Sequence, residues 1–222
     1  MAWLSRLPFC LCLVIGCGLS MSGKAGAGDE NYEGVKAGIT PFDSRYRRIQ
    51  RYLDSEEQRH QVLSDSETPF NTKVLKKYLR IANSFRYRPD KHDGESVAGR
   101  RRSRFPGEDI SPEDRWQLPE ETESRGAGDC EDKAIWLYAR LLQMGFENVR
   151  LVVGKYRPDQ PVYHAWVVCY GTNRIYILDP TMNGRLWQVR HYPRGFYRPL
   201  YSYSKGSRWR HLDPVPLMSR EP

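Results

Sequence analysis

The stretch "YHAWVVCYGTNRIYILDP", Tyr163 to Pro180, holds two apolar runs divided by a turn. "YHAWVVCY" and "RIYILDP" are rich in aromatic and β-branched residues, which suit a pleated, half-buried surface. "GTNR" places Gly and Asn at a tight connection, so the pair predicts an antiparallel hairpin. Such a hairpin brings His164, early in the first strand, near Asp179, at the end of the second. A carboxylate beside an imidazole fixes its tautomer and orientation.

The elements upstream complete the layout. "VRLVVGKY", from Val149, reads as a further buried strand, followed by a turn at "RPDQP". Before it, a helix is predicted from near Asp129 to near Gly145. Ala134, Leu137, Tyr138, Leu141 and Leu142 form its apolar stripe. "TPFNTKVLKKYLRIANSF" predicts another helix. Thr68 caps it, and Val74, Leu75, Tyr78, Leu79, Ala82 and Phe85 share one face. A weakly amphipathic, highly charged helix is expected from Phe42 to about Leu63. "PDKHDGESVAGRRRSRFPGEDISPEDR" is polar and Gly/Pro-containing, hence a long loop. Its Asp and His residues fit no metal-ligand spacing. Helices followed by antiparallel strands give an α+β fold, with N-terminal helices packed on the sheet.

The chain divides into a leader (1–27), a linker with an N-terminal helical region (28–65), one domain (66–190) and a C-terminal tail (191–222). The tail is basic and rich in Tyr, Arg and Pro, without clear periodicity. It is expected to cover a sheet edge or bind a partner.

The leader carries Arg6 before an apolar run from Leu7 to Gly16, too short for a permanent membrane span. It reads as an export signal, with cleavage after Ala27 one alternative. "VIGC", Val14 to Cys17, resembles the bacterial lipobox, in which Cys17 becomes the acylated N-terminus. The protein is therefore expected outside the cytoplasm, either periplasmic or anchored to the membrane through Cys17. The net charge of +8 admits acidic partners, but no nucleic-acid motif has the right spacing, so nucleic acid is not expected.

With the leader set aside, two cysteines remain, Cys130 and Cys169. Export permits a disulfide between them. The surroundings of Cys130 suit a free thiol better: it opens a helix, where unpaired N–H groups and the helix dipole favour thiolate. Cys130, His164 and Asp179 then stand in the order nucleophile, base and orienting acid. A zinc site on Cys130 and His164 would need further ligands, and the usual spacings are absent.

The segment "WQLPEETESRGAGDCEDKA", Trp116 to Ala134, resembles the signature of bacterial transglutaminase-like cysteine proteinases. That family includes periplasmic LapG-type proteases, which release large adhesins from the cell surface. The resemblance continues through "GFENVRLVVG", "YHAWVV" and "YILDP". It implies a papain-like, transglutaminase-type core and a peptidase in which Cys130 attacks, His164 transfers protons and Asp179 orients it. It also implies a protein substrate, and calcium held by Asp129 and Glu131, although two carboxylates make an incomplete shell. Trp116 or its neighbourhood is a candidate for positioning or for the oxyanion hole beside the Cys130 N–H. "HAWVV" and "LDPT" resemble general transglutaminase-like domains more than LapG-type proteases, a departure that bears on the substrate and not on Cys130, His164 and Asp179. Amide exchange, in which an amine rather than water resolves the thioester, is an alternative reaction of the same fold. A non-catalytic envelope-binding module is the reading from another class.

Overall fold

A computed structural model describes residues 32, 34–60, 71–90, 114–157, 163–192 and 195–212. The leader, Cys17, Thr68, most of the polar loop and of the "RPDQP" turn, and the last ten residues lie outside them. The described helices are α1 (Asp43–His60), α2 (Thr72–Ser84), α3 (Pro119–Arg125) and α4 (Cys130–Gln143). The strands are β1 (Val35–Lys36), β2 (Arg86–Tyr87), β3 (Ala127–Gly128), β4 (Val149–Tyr156), β5 (Tyr163–Gly171), β6 (Arg174–Leu178), β7 (Trp187–Gln188), β8 (Tyr197–Ser204) and β9 (Ser207–Arg210). None of these helices is long and apolar enough to cross a membrane.

The fold is α+β. Seven strands form one antiparallel sheet in the order β1-β9-β8-β4-β5-β6-β7, and β2 pairs with β3 in a small parallel ladder. The expected hairpin is present: β5 and β6 pair from Gly171↔Arg174 to Val167↔Leu178. Alternation along β4 and β5 serves two cores. Leu151, Val153, Ala165, Val167 and Cys169 face the helical layer. Val152, Trp166 and Val168 face a second cluster with Ile177, Val189 and Tyr197.

Helix α4 is the axis of the helical layer. Residues Asp132 to Ala139 and Leu141 are buried along it, so it is enclosed on nearly every side. Leu75, Leu79 and Ala82 of α2, and Tyr46, Ile49 and Leu53 of α1, pack into the same core. Each fully buried aliphatic side chain contributes about 1.5–3 kcal/mol. Helix α2 is capped by Asn71, whose side chain accepts from the Lys73 N–H at 2.9 Å.

The stretch after residue 191 differs from the expected tail. Residues 197–210 form β8 and β9, and β8 lies between β4 and β9 in the sheet. Tyr197, Tyr201 and Tyr203 are buried. The proline that argues against a central strand, Pro199, pairs with Gly154 where the β4–β8 register shifts, and there a missing N–H is tolerated. The N-terminal region also joins the sheet, through β1.

Candidate active site

Asp129, Cys130 and the residues after them form a helix start built by reciprocal capping. The Asp129 carboxylate accepts from the Asp132 N–H at 3.5 Å, and the Asp132 carboxylate accepts from the Asp129 N–H at 3.3 Å. Gly126, at φ +58°, ends α3 in the left-handed conformation that favours glycine. Gly128 leaves room for Asp132, since a Cβ there would lie 2.8 Å from the Asp132 Oδ2. Cys130 is the first residue of α4, so the helix itself leaves its N–H without a partner.

His164 lies on β5, opposite Gly154 of β4. Asp179 follows the last residue of β6, and β6 pairs Leu178 with Val167. Asp179 is thus diagonal to His164 on one face of the sheet. Their side chains meet with Nε2 of His164 2.7 Å from Oδ2 of Asp179. The imidazole is 12% exposed and the carboxylate 2%. With Nε2 bonded to the carboxylate, Nδ1 is the nitrogen left to accept a proton.

Asp179 is held on every side. Its Oδ1 accepts from the Thr181 N–H at 2.9 Å and from the Thr181 hydroxyl at 2.6 Å. The Tyr197 hydroxyl donates to Oδ2 at 2.8 Å. Burial alone would push this carboxyl up. The charge and hydrogen bond of His164, with the two bonds from Thr181, outweigh it and hold the pKa below the usual carboxylate value. The loop after Asp179 is tied to α2, because the Asn83 amide donates to the Pro180 carbonyl at 2.9 Å. Lys133 of α4 donates to the carbonyl of Phe85 at 2.9 Å, which fixes the end of α2 against α4.

The ring of His164 stacks on Trp166 at 5.9 Å and lies 5.5 Å from Tyr156. Gly154 makes this layer fit: a Cβ there would overlap the Arg198 carbonyl and lie 2.7 Å from the Trp166 indole.

The Cys130 thiol behaves differently from the sequence expectation. It donates to Oε2 of Glu131 at 3.0 Å. Among the described residues, it makes no hydrogen bond to His164. Burial first, then the charge and hydrogen bond of Glu131 and the charge of Asp129, push its pKa well up. The backbone N–H of Ala165, next to His164, acts in the opposite direction. The helix dipole is therefore outweighed by burial and the neighbouring acids. Cys169 is buried on β5 and unbridged, as is Cys130.

Those acids form a cluster. Carboxylate oxygens of Asp90, Asp114 and Glu131 lie within 4.8 Å of one another. Asp90 and Asp114 stand at the two ends of the polar loop, where the sequence spacing gave no metal site. Folding brings them together: the Arg115 N–H donates to Asp90 at 2.7 Å, and Arg45 pairs with Asp114 at 3.2 Å. Of the two residues expected to hold calcium, Glu131 is in this group. Asp129 stands beside it, with its carboxylate engaged in the helix cap. Burial first, and the charges of Asp90 and Asp114, raise Asp129 to about 6, although the hydrogen bond of Glu131 opposes the shift. Burial and the Asp129 charge raise Asp132 to about 8. Burial, then the side-chain hydrogen bond of Asp114 and the charges of Asp129 and Asp114, raise Glu131 as well. Oxygen-only donors carrying excess negative charge fit a hard divalent cation such as calcium.

Trp116 lies in the core, stacked on Phe42 at 5.8 Å and edge-on to Tyr203 at 6.5 Å. Its carbonyl accepts from Arg48 at 2.8 Å. Its neighbour Gln117 donates its backbone N–H to Asp132 at 2.7 Å and turns its side-chain amide to the same carboxylate. Three residues near the site went unread in the sequence. Tyr197 sat in the apparent tail, and Thr181 follows the Asp-Pro turn. Tyr87, on a two-residue strand, is 55% exposed. Partial burial, and then the charges of Cys130, Asp129, Glu131 and Asp179, raise its hydroxyl to about 12.

No protein-family model and no curated protein matches the chain. Among solved structures it is similar to LapG of Legionella pneumophila, at 23% identity over 74% of this chain and 86% of that one, with a TM-score of 0.49. An EGTA-treated form of that protein matches at 23% identity over 74% and 84%, and a calcium-bound form at 22% over 78% and 81%, both at a TM-score of 0.49.

Proposed function

We propose that the chain is an exported, LapG-like cysteine peptidase with Cys130 as nucleophile. The observation that carries this reading is the buried Asp179 carboxylate fixed against Nε2 of His164, on the strand that packs against the helix opened by Cys130. Nδ1 of His164 takes the thiol proton as the sulfur attacks the scissile carbonyl carbon. The carbonyl oxygen becomes an oxyanion that accepts from the Cys130 N–H. Collapse expels the amine, which receives its proton from His164, and leaves a thioester. His164 then deprotonates water, which attacks the thioester, releases the acid and returns the proton to the sulfur. Asp179 keeps the imidazole in one tautomer throughout.

Asp90, Asp114 and Glu131 would hold calcium, with Asp129 adjacent. A bound ion supplies fixed positive charge beside the thiol. Glu131 engaged in this way is a weaker acceptor for the Cys130 S–H, which leaves the thiol to His164. Export and lipidation at Cys17 are parts of the same proposal.

Iodoacetamide labelling of wild type, Cys130→Ala, Cys169→Ala and His164→Ala, with calcium or chelator, tests this reading. Labelling confined to Cys130 and slowed at least tenfold by His164→Ala supports it. Equal labelling of both cysteines, insensitive to His164, removes it.

A further inference from the structure

Lys76 and Arg80 stand one turn apart on the exposed side of α2. Arg185, between β6 and β7, faces them across a shallow groove completed by Gly184, Leu186 and Trp187. Gly184, at φ +57°, brings the chain close to the helix: a Cβ there would lie 3.5 Å from Cγ of Arg80. The Arg185 guanidinium lies 5.8 Å from the Trp187 ring centre, which keeps its charge over the groove. Among the described residues, no carboxylate pairs with Lys76, Arg80 or Arg185. Like charges one turn apart destabilise a helix, so this gathering is an unfavourable feature unless an anion meets it.

The groove opens off the catalytic loop. Asn83, one turn beyond Arg80, donates to the carbonyl of Pro180, which follows Asp179. The six residues from Asp179 to Gly184 are joined by five Cα–Cα steps and span at most about 18 Å. A bound chain that lies in the groove therefore reaches His164 and Cys130 within a few extended residues.

We propose that the groove of Lys76, Arg80, Arg185 and Trp187 binds an acidic segment of the protein substrate, a few residues from the scissile bond. This rests on the peptidase reading of the site. Carboxylates meet the three cations, and an apolar side chain lies against Leu186 and Trp187. A peptide fits better than a nucleic acid, because the lining is short and half apolar, whereas a phosphate backbone is tracked by a longer basic path.

The test uses the full chain carrying Cys130→Ala, so binding is read apart from catalysis. The probe is a fluorescein-labelled decapeptide with six glutamates, followed by anisotropy. Controls are the glutamine version of that peptide and a single-stranded decanucleotide. The acidic peptide should bind at least tenfold tighter than the glutamine peptide. Arg80→Glu with Arg185→Glu should remove that difference, and the milder Arg185→Gln should weaken binding several-fold at an unchanged melting temperature. Binding should fall as salt rises from 0.05 to 0.5 M, given a screening length of about 10 Å at 0.1 M. Equal binding of the two peptides, indifference to the substitutions, or tighter binding of the oligonucleotide overturns the proposal. A failed Cys130 labelling experiment beside intact acidic-peptide binding would remove the peptidase reading and leave the groove as an acidic-ligand site.

Discussion

Cys130 and Glu131 are joined through their side chains, thiol to carboxylate, at 3.0 Å. The expected nucleophile is thereby held as a neutral donor by its own neighbour. The acid that raises the thiol pKa also belongs to the three-carboxylate cluster with Asp90 and Asp114.

Replacing Glu131 separates the two effects. Glu131→Gln removes the negative charge and so lowers the Cys130 pKa. In chelator it should alkylate several-fold faster than wild type at pH 7.5, since each pKa unit changes the thiolate fraction about tenfold. Calcium should accelerate wild type and leave the variant unchanged. Slower alkylation of the variant in chelator contradicts this.

Calcium and pH should act jointly on stability. Asp129 at about 6 and Asp132 at about 8 lie above the ordinary carboxylate range. The folded, calcium-free chain thus keeps protons that the unfolded chain releases near pH 4. The associated stability is fully present below that pH and is lost as pH rises through 6 and 8. The melting temperature in chelator should fall between pH 5 and 8.5. Calcium at a hundredfold excess over its Kd should raise it by about 5–10 °C at pH 8.5, and by less at pH 5. Equal calcium shifts at both pH values would refute the linkage.

In the proposed mechanism Tyr197, whose hydroxyl donates to Asp179, is a positioning residue that acts through that carboxylate. Tyr197→Phe removes one donor from the carboxylate oxygen that also receives His164, so the Asp179 pKa should rise. Turnover should fall about three- to tenfold, the acid limb of the pH–rate profile should move to higher pH, and stability should drop by about 1 kcal/mol. A lower melting temperature with an unmoved acid limb would make the residue merely structural.

Gly154 is required for packing beside His164. Gly154→Ala drives a methyl group into the Arg198 carbonyl and the Trp166 indole. It should cost about 2 kcal/mol or more in chemical denaturation and slow Cys130 labelling by moving β5. Gly206→Ala, whose Cβ would meet nothing within 4 Å, serves as the tolerant control.

The hairpin was legible because alternation and the GTNR turn act locally, and the register of β5 and β6 then sets His164 diagonal to Asp179. Helix α4 was legible from its apolar spacing. Strand β8 was not: "YRPLYSYS" carries a proline and polar residues, and only the register shift against β4 makes room for Pro199. Helix α3 was missed because "PEETESR" has no apolar stripe. It is fixed instead by Glu121, which accepts from the Leu118 N–H at 2.7 Å and pairs with Arg48 at 2.9 Å. The carboxylate cluster was half legible. Glu131 stands beside the cysteine, but Asp90 and Asp114 are 24 residues apart in sequence and meet only through tertiary packing. The thiol's raised pKa was hidden for the same reason: burial and those charges exist only in the folded chain.

The most direct test of Cys130 as nucleophile is the mass of the intact chain after acid quenching of a reaction with an activated peptide ester, in calcium. A species heavier by the acyl group, mapped to Cys130, should form in wild type. It should form at least tenfold more slowly in His164→Ala and be absent in Cys130→Ala. Ester turnover that persists in Cys130→Ala, or an acyl group mapped to any other residue, would contradict the account.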